Sequence, residues 1–300
     1  MKLNKLKVLA IILIIAVSFV FTACGEQTGA ERGAATVNEE LIKFGVLEHR
    51  LESIMHGFPV EGEEEINEIR EWLLDELIRE TLIRQAAAAR GITVDASEID
   101  AEINELKEAW GEEMFKAILE ENFLTEDDLR DMSEQSLLED RLATLVTEGV
   151  TVEEFMIARV SHILLETREE AQDVIARLNA GEGFGELARQ YSVCPSGSDG
   201  GSMDPYFAEN GVFTDGFNSF DSYFARGAHE LSAIGDFTQE PIATRFGYHI
   251  ILLDDKIQAT GEYKEILEEL VLHHRRVVAF NEYYTQLYEE ANIVNYLRGE

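Results

Sequence analysis

Apolar side chains return every three to four positions along the first half of the chain, and in short dense or alternating runs in the second. In "EEINEIREWLLDELIRETLIRQAAAARG" the residues Ile66, Ile69, Leu73, Leu77, Ile83 and Ala87 share a helical stripe, and Gly91 supplies a helix stop. A second helix is predicted over "DASEIDAEINELKEAW". Asp95 and Glu98 open it at capping-box spacing, and Ile99, Ile103, Leu106 and Trp110 lie on one face. "TEDDLRDMSEQSLLEDRLATLV" repeats the device, with Thr125 and Asp128 ahead of Leu129, Met132, Leu138, Leu142 and Leu145. The many Glu and Asp residues between these positions read as solvated helix faces.

The texture changes near Phe155. "FMIARVSHILLE" is strand-like, and "TREEAQDVIARLNAG" is a short capped helix from Thr167 to Gly181. "FGELARQYS" follows as another helix, then a Gly/Ser/Pro-rich loop from Cys194 to Pro205 and a poorly patterned segment up to Ala228. "DFTQEPIATRFGYHIILLDD" predicts two strands joined by a turn at Arg245 to Gly247. The remainder returns to a helix and a terminal strand. The expected plan is a helical region, an inserted α/β domain, and a helical tail that packs back on the first region.

Composition sharpens this plan. The 300 residues suggest two domains, and a hydrophobic content of 45% can fill real cores. The formal net charge of −34 argues against nucleic acid, whose phosphates demand Lys and Arg. It also opposes adhesion to anionic lipid unless a covalent anchor holds the protein there. Residues 1–23 place Lys2, Lys5 and Lys7 before an apolar run from Val8 to Phe21, the order of an export signal. That run falls short of the roughly 20 residues a membrane span needs. "FTAC" resembles the lipobox of bacterial lipoproteins, which would make Cys24 the lipidated first residue, with Phe21 where Leu is usual. Cleavage would move the net charge from −34 to about −37 by removing those three lysines. Gly25 to Ala35 then reads as a tether.

The chain has only two cysteines. A lipid on Cys24 leaves Cys194 without a partner in its own chain. His162 in "ARVSHILL" and His249 in "FGYHIILL" occupy matching places in two largely apolar strands, where imidazoles could donate to one another. Metal binding finds little support. His49, His56, His229, His273 and His274 show no ligand spacing such as HExxH, and there is no CxxC. A Cys194 nucleophile would need a cation or a helix N-terminus to lower its pKa, and "SVCPSGSDGG" opens no obvious helix.

"ARVSHILLETREEAQDVIARLNAGEGFGELARQYS", then "GG", then "EPIATRFGYHIILL" together resemble the parvulin family of peptidyl-prolyl cis/trans isomerases over roughly Ala158 to Asp254. The preceding "ATVNEELI", "LLDELIRETLIRQAAAARGITVDASEIDAEINEL" and "FLTEDDL" look like the N-terminal chaperone region of the extracytoplasmic foldases PrsA and SurA. A lipobox with a parvulin domain looks most like the PrsA lipoprotein foldases of Gram-positive bacteria. The resemblance implies an α+β fold: a helical chaperone region, built from the N-terminal segment plus the C-terminal helix, with an inserted parvulin domain of a small antiparallel sheet wrapped by short helices. The implied divisions are a signal peptide 1–23, a tether 24–36, a helical region 37–154, an isomerase domain 155–257 and a helical tail 258–300.

The resemblance also implies roles. His162 and His249 match the paired histidines beneath the active site, and Cys194 the position where the family carries Cys or Asp. Met203, Phe213 and Phe217 fall where the family places the apolar walls of the proline pocket, and Phe246 where its foldase group usually has Phe. No cofactor or metal is implied. The partners implied are unfolded or folding exported polypeptides, with the membrane reached through lipid on Cys24 at the outer face of the cell membrane; a homodimer is left open. The segment after the double glycine, and residues 217–235, depart from the family by insertion and by loss of an alanine/phenylalanine helix pattern, with His229 where an aromatic is expected. These departures favour, as the alternative, an inactive parvulin-like holdase that binds unfolded secreted proteins. The loop after the first strand carries no basic cluster, which argues against phosphorylated Ser/Thr-Pro substrates.

Overall fold

The computed structural model describes residues 32–57, 60 and 62–298. The export signal, Cys24 and most of the tether lie outside the described residues. The chain forms two compact units. One contains the residues up to Leu82, Ser97–Met132 and those from Ala291; the other contains Ile83–Ala96 and Ser133–Glu290.

In the first unit, β1 (Gly33–Val37) and β2 (Glu40–Lys43) form a hairpin. Asn38 and Glu39 turn it at φ 50° and 74°, the left-handed backbone that two-residue hairpin loops require. A distant strand, β7 (Ile293–Asn295), pairs antiparallel with the other edge of β1, giving the order β2-β1-β7. Residues 33–36 are therefore sheet rather than tether. Ala34, Ala35 and Val37 are fully buried, so their small size serves packing instead of flexibility. Helix α1 (Phe44–Gly57) packs on this sheet. Then come α2 (Glu63–Ala89), whose residues from Ile83 belong to the second unit, α3 (Ala96–Trp110), α4 (Glu112–Glu121) and α5 (Glu126–Val146), which belongs to the second unit from Ser133. The capping signal at Thr125 is realised. Its hydroxyl accepts the Asp128 N–H at 3.1 Å, and the Asp128 carboxylate accepts the Thr125 N–H at 2.7 Å. Of the apolar stripe expected on α5, Leu138 and Leu142 are buried while Met132 and Leu145 are exposed.

The second unit is α+β. Strand β3 (Met156–Leu165) is followed by α6 (Arg168–Asn179) and α7 (Phe184–Tyr191). Next come a 3₁₀ turn (Pro195–Asp199), β4 (Ser202–Ala208) and α8 (Ser222–Glu230). The unit closes with β5 (Ile242–Thr244), β6 (Gly247–Gln258) and α9 (Gly261–Glu290). The sheet runs β4-β3-β6-β5, antiparallel throughout. Thr167 and Glu170 form a full capping box on α6. One sheet face buries Ile163, Leu165 and Ile250 against Val174, Leu178 and Leu187. The other buries Val160, Ile251 and Leu253 against Phe207, Phe224 and Ala228. Each such side chain, fully buried, stabilises the fold by roughly 1.5–3 kcal/mol. Leu267 and Val271 of α9 cover Phe155 and Ile157, and Phe280 further along packs on Ile83 and Leu142.

Two sequence expectations change here. The stretch read as a loop from Cys194 to Pro205 holds the 3₁₀ turn and the start of β4. The unpatterned segment after Phe217 contains α8, whose N-cap Asp221 accepts the Tyr223 N–H at 2.9 Å. Phe224, Ala225, Gly227 and Ala228 are buried on that helix, so an alanine/phenylalanine face is present after all.

The double glycine ties the 3₁₀ turn to β3. Gly201 sits at φ +87°, and its carbonyl accepts the His162 N–H at 2.8 Å. A Cβ there would lie 2.3 Å from the His162 carbonyl oxygen. Gly91 has a similar φ of +71° with open space around it. Gly91→Ala should therefore cost about 1 kcal/mol, from backbone strain alone, and Gly201→Ala about 3 kcal/mol or more. Chemical denaturation of the two variants checks this; equal losses would contradict it.

Candidate active site

The long pairing of β3 with β6 sets the geometry. Its register places His162 opposite Ile251 and Leu164 opposite His249, so the two histidines are diagonal neighbours on one face. Both rings are buried, and their Nδ1 atoms are 3.1 Å apart. Phe224 of α8 stands edge-on to both, with ring centroids 5.6 Å from His162 and 5.1 Å from His249.

Hydroxyls engage the outer ring nitrogens. His162 Nε2 lies 3.0 Å from Ser196 Oγ, and His249 Nε2 lies 2.9 Å from Thr244 Oγ1. Thr244 Oγ1 also accepts the Phe246 N–H at 3.1 Å, and the Ser196 hydroxyl donates to Cys194 Sγ at 3.3 Å. Since that hydroxyl has one proton, Ser196 Oγ must accept from His162 Nε2–H. His162 Nδ1 then accepts from His249 Nδ1–H, and His249 Nε2 accepts from the Thr244 hydroxyl. A continuous hydrogen-bonded row thus runs from Thr244 to the thiol, with every imidazole nitrogen satisfied in neutral rings. Burial chiefly, and for His162 also the neighbouring ring, lowers both pKa values to about 4. Asp221 opposes this shift slightly at His249.

Beside this row opens a cavity of about 600 Å³. Its apolar walls are Leu164, Val193, Pro195, Phe220, Phe224 and Phe246. Its polar lining comes from His162, His249, Cys194, Asp221 and Arg245. The Arg245 guanidinium lies over the Phe246 ring, 4.7 Å from its centroid. Cys194 is a free, half-buried thiol. Its contact is Ser196 rather than a histidine, so His162 addresses it through one hydroxyl. Among the described residues, no group of three or more His, Cys, Asp or Glu side chains is gathered as a metal site would require.

His162, Cys194, His249 and Phe246 thus come together. Met203 and Phe213 are not part of the cavity lining and pack against the core around Phe207 and Phe224. Phe217 does not join them: it is 94% exposed at the tip of a turn in which Asp215 accepts the Phe217 and Asn218 N–H groups. Its expected place is taken by Phe220, whose ring packs on Phe213 and Phe224 at 4.6 and 4.7 Å. Phe220, Phe224, Ser196 and Thr244 are the residues missed in the sequence. Asp221 as an N-cap, with Phe224, Ala225 and Ala228 at helical spacing behind it, was the available signal for the phenylalanines. His229, standing at an aromatic position, behaves as one. It packs edge-on to Phe207 at 5.4 Å, and its Nε2–H donates to the Phe207 carbonyl at 3.2 Å.

The low pKa values give a pH signature. An unfolded histidine titrates near 6.5, so between about 6.5 and 4 the unfolded chain holds more protons than the native one. The stability from neutral His162 and His249 is complete above that window and is lost as pH falls through it. Thermal unfolding should show Tm decreasing from pH 7 to pH 4.5, with a shallower dependence in His249→Gln. A slope unchanged in that variant would refute the assignment.

The chain matches the profile of the SurA-like N-terminal domain over residues 1–143 and that of the PPIC-type PPIase domain over residues 162–255. Foldase protein PrsA of Geobacillus kaustophilus is 31% identical over 218 residues, which span 70% of this chain and 72% of the relative. Foldase protein PrsA of Halalkalibacterium halodurans is 28% identical over 223 residues, spanning 68% of this chain and 63% of the relative, somewhat under two thirds of its length. Among solved structures, the crystal structure of peptidylprolyl isomerase PrsA from Bacillus anthracis is similar at 23% identity and a TM-score of 0.45, over 73% of this chain and 96% of that one.

Proposed function

Since the chain belongs to the PrsA foldase family, we propose that it catalyses cis/trans isomerisation of Xaa-Pro bonds in exported polypeptides outside the cytoplasm. The observation that carries this reading is an aromatic-walled cavity set directly against a buried, neutral, hydrogen-bonded histidine pair. Rotation about the Xaa-Pro bond faces a barrier of about 18–20 kcal/mol, and no bond need break. The site has to favour the twisted amide over the planar one. Phe220, Phe224 and Phe246 hold the pyrrolidine ring away from water. Cys194 and the hydroxyl row beside it offer weakly polar contacts to the turning carbonyl. His162 and His249 are positioning residues that fix Ser196 and Thr244 at the edges of the cup. Neutral rings suit this role, because a buried charge would draw water into the cavity.

The helical region, matching the SurA-like profile over residues 1–143, would shelter unfolded clients while the isomerase domain acts. The export signal and lipobox support anchoring through lipid on Cys24 at the outer face of the cell membrane of a Gram-positive bacterium. Among the described residues no helix is long and apolar enough to cross a membrane.

Exchange spectroscopy of an Ala-Pro-Phe peptide with the full chain tests the chemistry. Wild type should accelerate exchange, His249→Ala should lose at least tenfold, Cys194→Ala should lose part, and Cys194→Asp should be tolerated. No acceleration by wild type, with suppression of client aggregation intact, would replace the isomerase by the holdase. Loss of all activity in Cys194→Asp would point instead to covalent cysteine chemistry. For the anchor, labelled fatty acid should enter the wild-type chain in a Gram-positive host but not Cys24→Ala; equal labelling would refute it.

A further inference from the structure

The cavity that receives proline does not end at its own rim. Val193, 55% exposed, is shared with a second cavity of about 730 Å³ beside α6 and the end of β3. The Val193 N–H donates to the Leu164 carbonyl at 2.9 Å, so the common ridge is fixed to the strand that carries His162. A peptide seated in the first cavity must leave it in two directions. The second cavity adjoins the first across this single residue, so it lies within reach of a position next to the proline.

Its lining is of two kinds. Leu165, Val174 and Val193 give an apolar floor, while Glu166, Glu170 and Asp173 give an acidic edge. One cation, Arg177, shares the wall, but its guanidinium is already held by the Glu182 carboxylate at 2.6 and 2.7 Å and by the Tyr191 hydroxyl. Glu170 accepts the Thr167 N–H at 3.2 Å. The first cavity is lined by one carboxylate, Asp221, and one guanidinium, Arg245. An apolar trough bordered by carboxylates fits a long aliphatic stem with a cationic head, as Lys and Arg present.

We propose that this second cavity is a specificity subsite, in which Glu166, Glu170 and Asp173 select a lysine or arginine adjacent to the isomerised proline. The inference rests on the isomerase reading above and adds its substrate preference. Glutamate at the same place would meet three carboxylates across an apolar floor. A neutral leucine would gain only the floor.

The test compares exchange in Ala-Lys-Pro-Phe, Ala-Leu-Pro-Lys, Ala-Leu-Pro-Phe and Ala-Glu-Pro-Phe, catalysed by the full chain at low ionic strength. At least one lysine peptide should exceed the glutamate peptide in kcat/KM by about tenfold, the scale of a few partly exposed charge pairs acting together. That ratio should shrink towards one in about 0.5 M salt, where the screening length falls to a few ångströms. The combined variant Glu166→Gln, Glu170→Gln, Asp173→Asn should bring the ratio near one, and Gln at 170 still suits the capping box. Should that variant fail to fold, the salt dependence of the wild-type ratio decides. Acceleration of Ala-Leu-Pro-Phe with a lysine-to-glutamate ratio near one at low salt would overturn the subsite and leave the isomerase standing. Acceleration of no peptide would remove the isomerase reading, and the subsite with it.

Discussion

The register of β3 against β6 is the constraint on which the site depends. Pairing runs without a break from His162 opposite Ile251 to Leu165 opposite Tyr248. Side chains alternate between faces along a strand, so a slip of one residue would send one imidazole into the opposite core and leave its partner buried alone. Two glycines guard the register. Gly201 admits the close approach of the 3₁₀ turn to His162, and at Gly247 a Cβ would fall 2.5 Å from the Leu165 carbonyl oxygen. The irregularity in the ladder lies between Arg159 and Val160, on the far side of His162 from the site. The histidine pair is thus fixed by backbone hydrogen bonds, and its side-chain row only completes what the sheet has set.

A chain of net charge −34 buries a neutral pair of histidines beside its aromatic-walled cavity, and the contrast is physically consistent. Carboxylates cost little on helix surfaces, where water screens them and mutual repulsion keeps the protein dispersed. Ion pairs such as Arg50–Glu80 and Arg275–Glu209 are partly exposed and locally useful, yet each contributes modestly. At the site the balance reverses. Phe224 and the sheet exclude water from His162 and His249, so charge there would be costly and hydrogen bonds between neutral groups persist. The excess of carboxylates then matters at the rim, where solvent still reaches and a cationic substrate segment can be drawn in.

Much of this was legible in the sequence, and for identifiable reasons. Capping signals at Thr125 and Thr167 marked helix starts because they satisfy backbone groups locally. The two histidines stood out because each interrupts an apolar strand, where an unpaired polar group would be costly. The site's hydroxyls were not legible: nothing local separates Ser196 and Thr244 from any other turn residue, and their role exists only once the strands pair. The small sheet of β1, β2 and β7 was hidden for the same reason, since its strands are very short and one partner lies more than 250 residues away. Phe217 lies beside segments that depart from the family by insertion, whereas Phe220 and Phe224 are placed by the start of α8 at Asp221.

That substitution of one phenylalanine for another follows from what such a cavity has to do. A covalent mechanism fixes the angle and distance of its attacking atom, so the residue that supplies it cannot migrate along the chain. Gripping a pyrrolidine ring asks only for an apolar cup of the right width, and any rigid aromatic can form its wall. Phe220 is rigid because Phe207, Phe213 and Phe224 hold it on three sides, at centroid distances of 4.6 to 4.8 Å. Residues 214–218 are thereby released from the pocket, and Asp215 folds them into a turn that carries Phe217 into solvent. The hydrogen-bonded row from Thr244 to Cys194 has no such freedom, because each member must meet the next within about 3 Å. The wall can therefore exchange one phenylalanine for another without losing its shape, whereas the row is held by the distances between its own members.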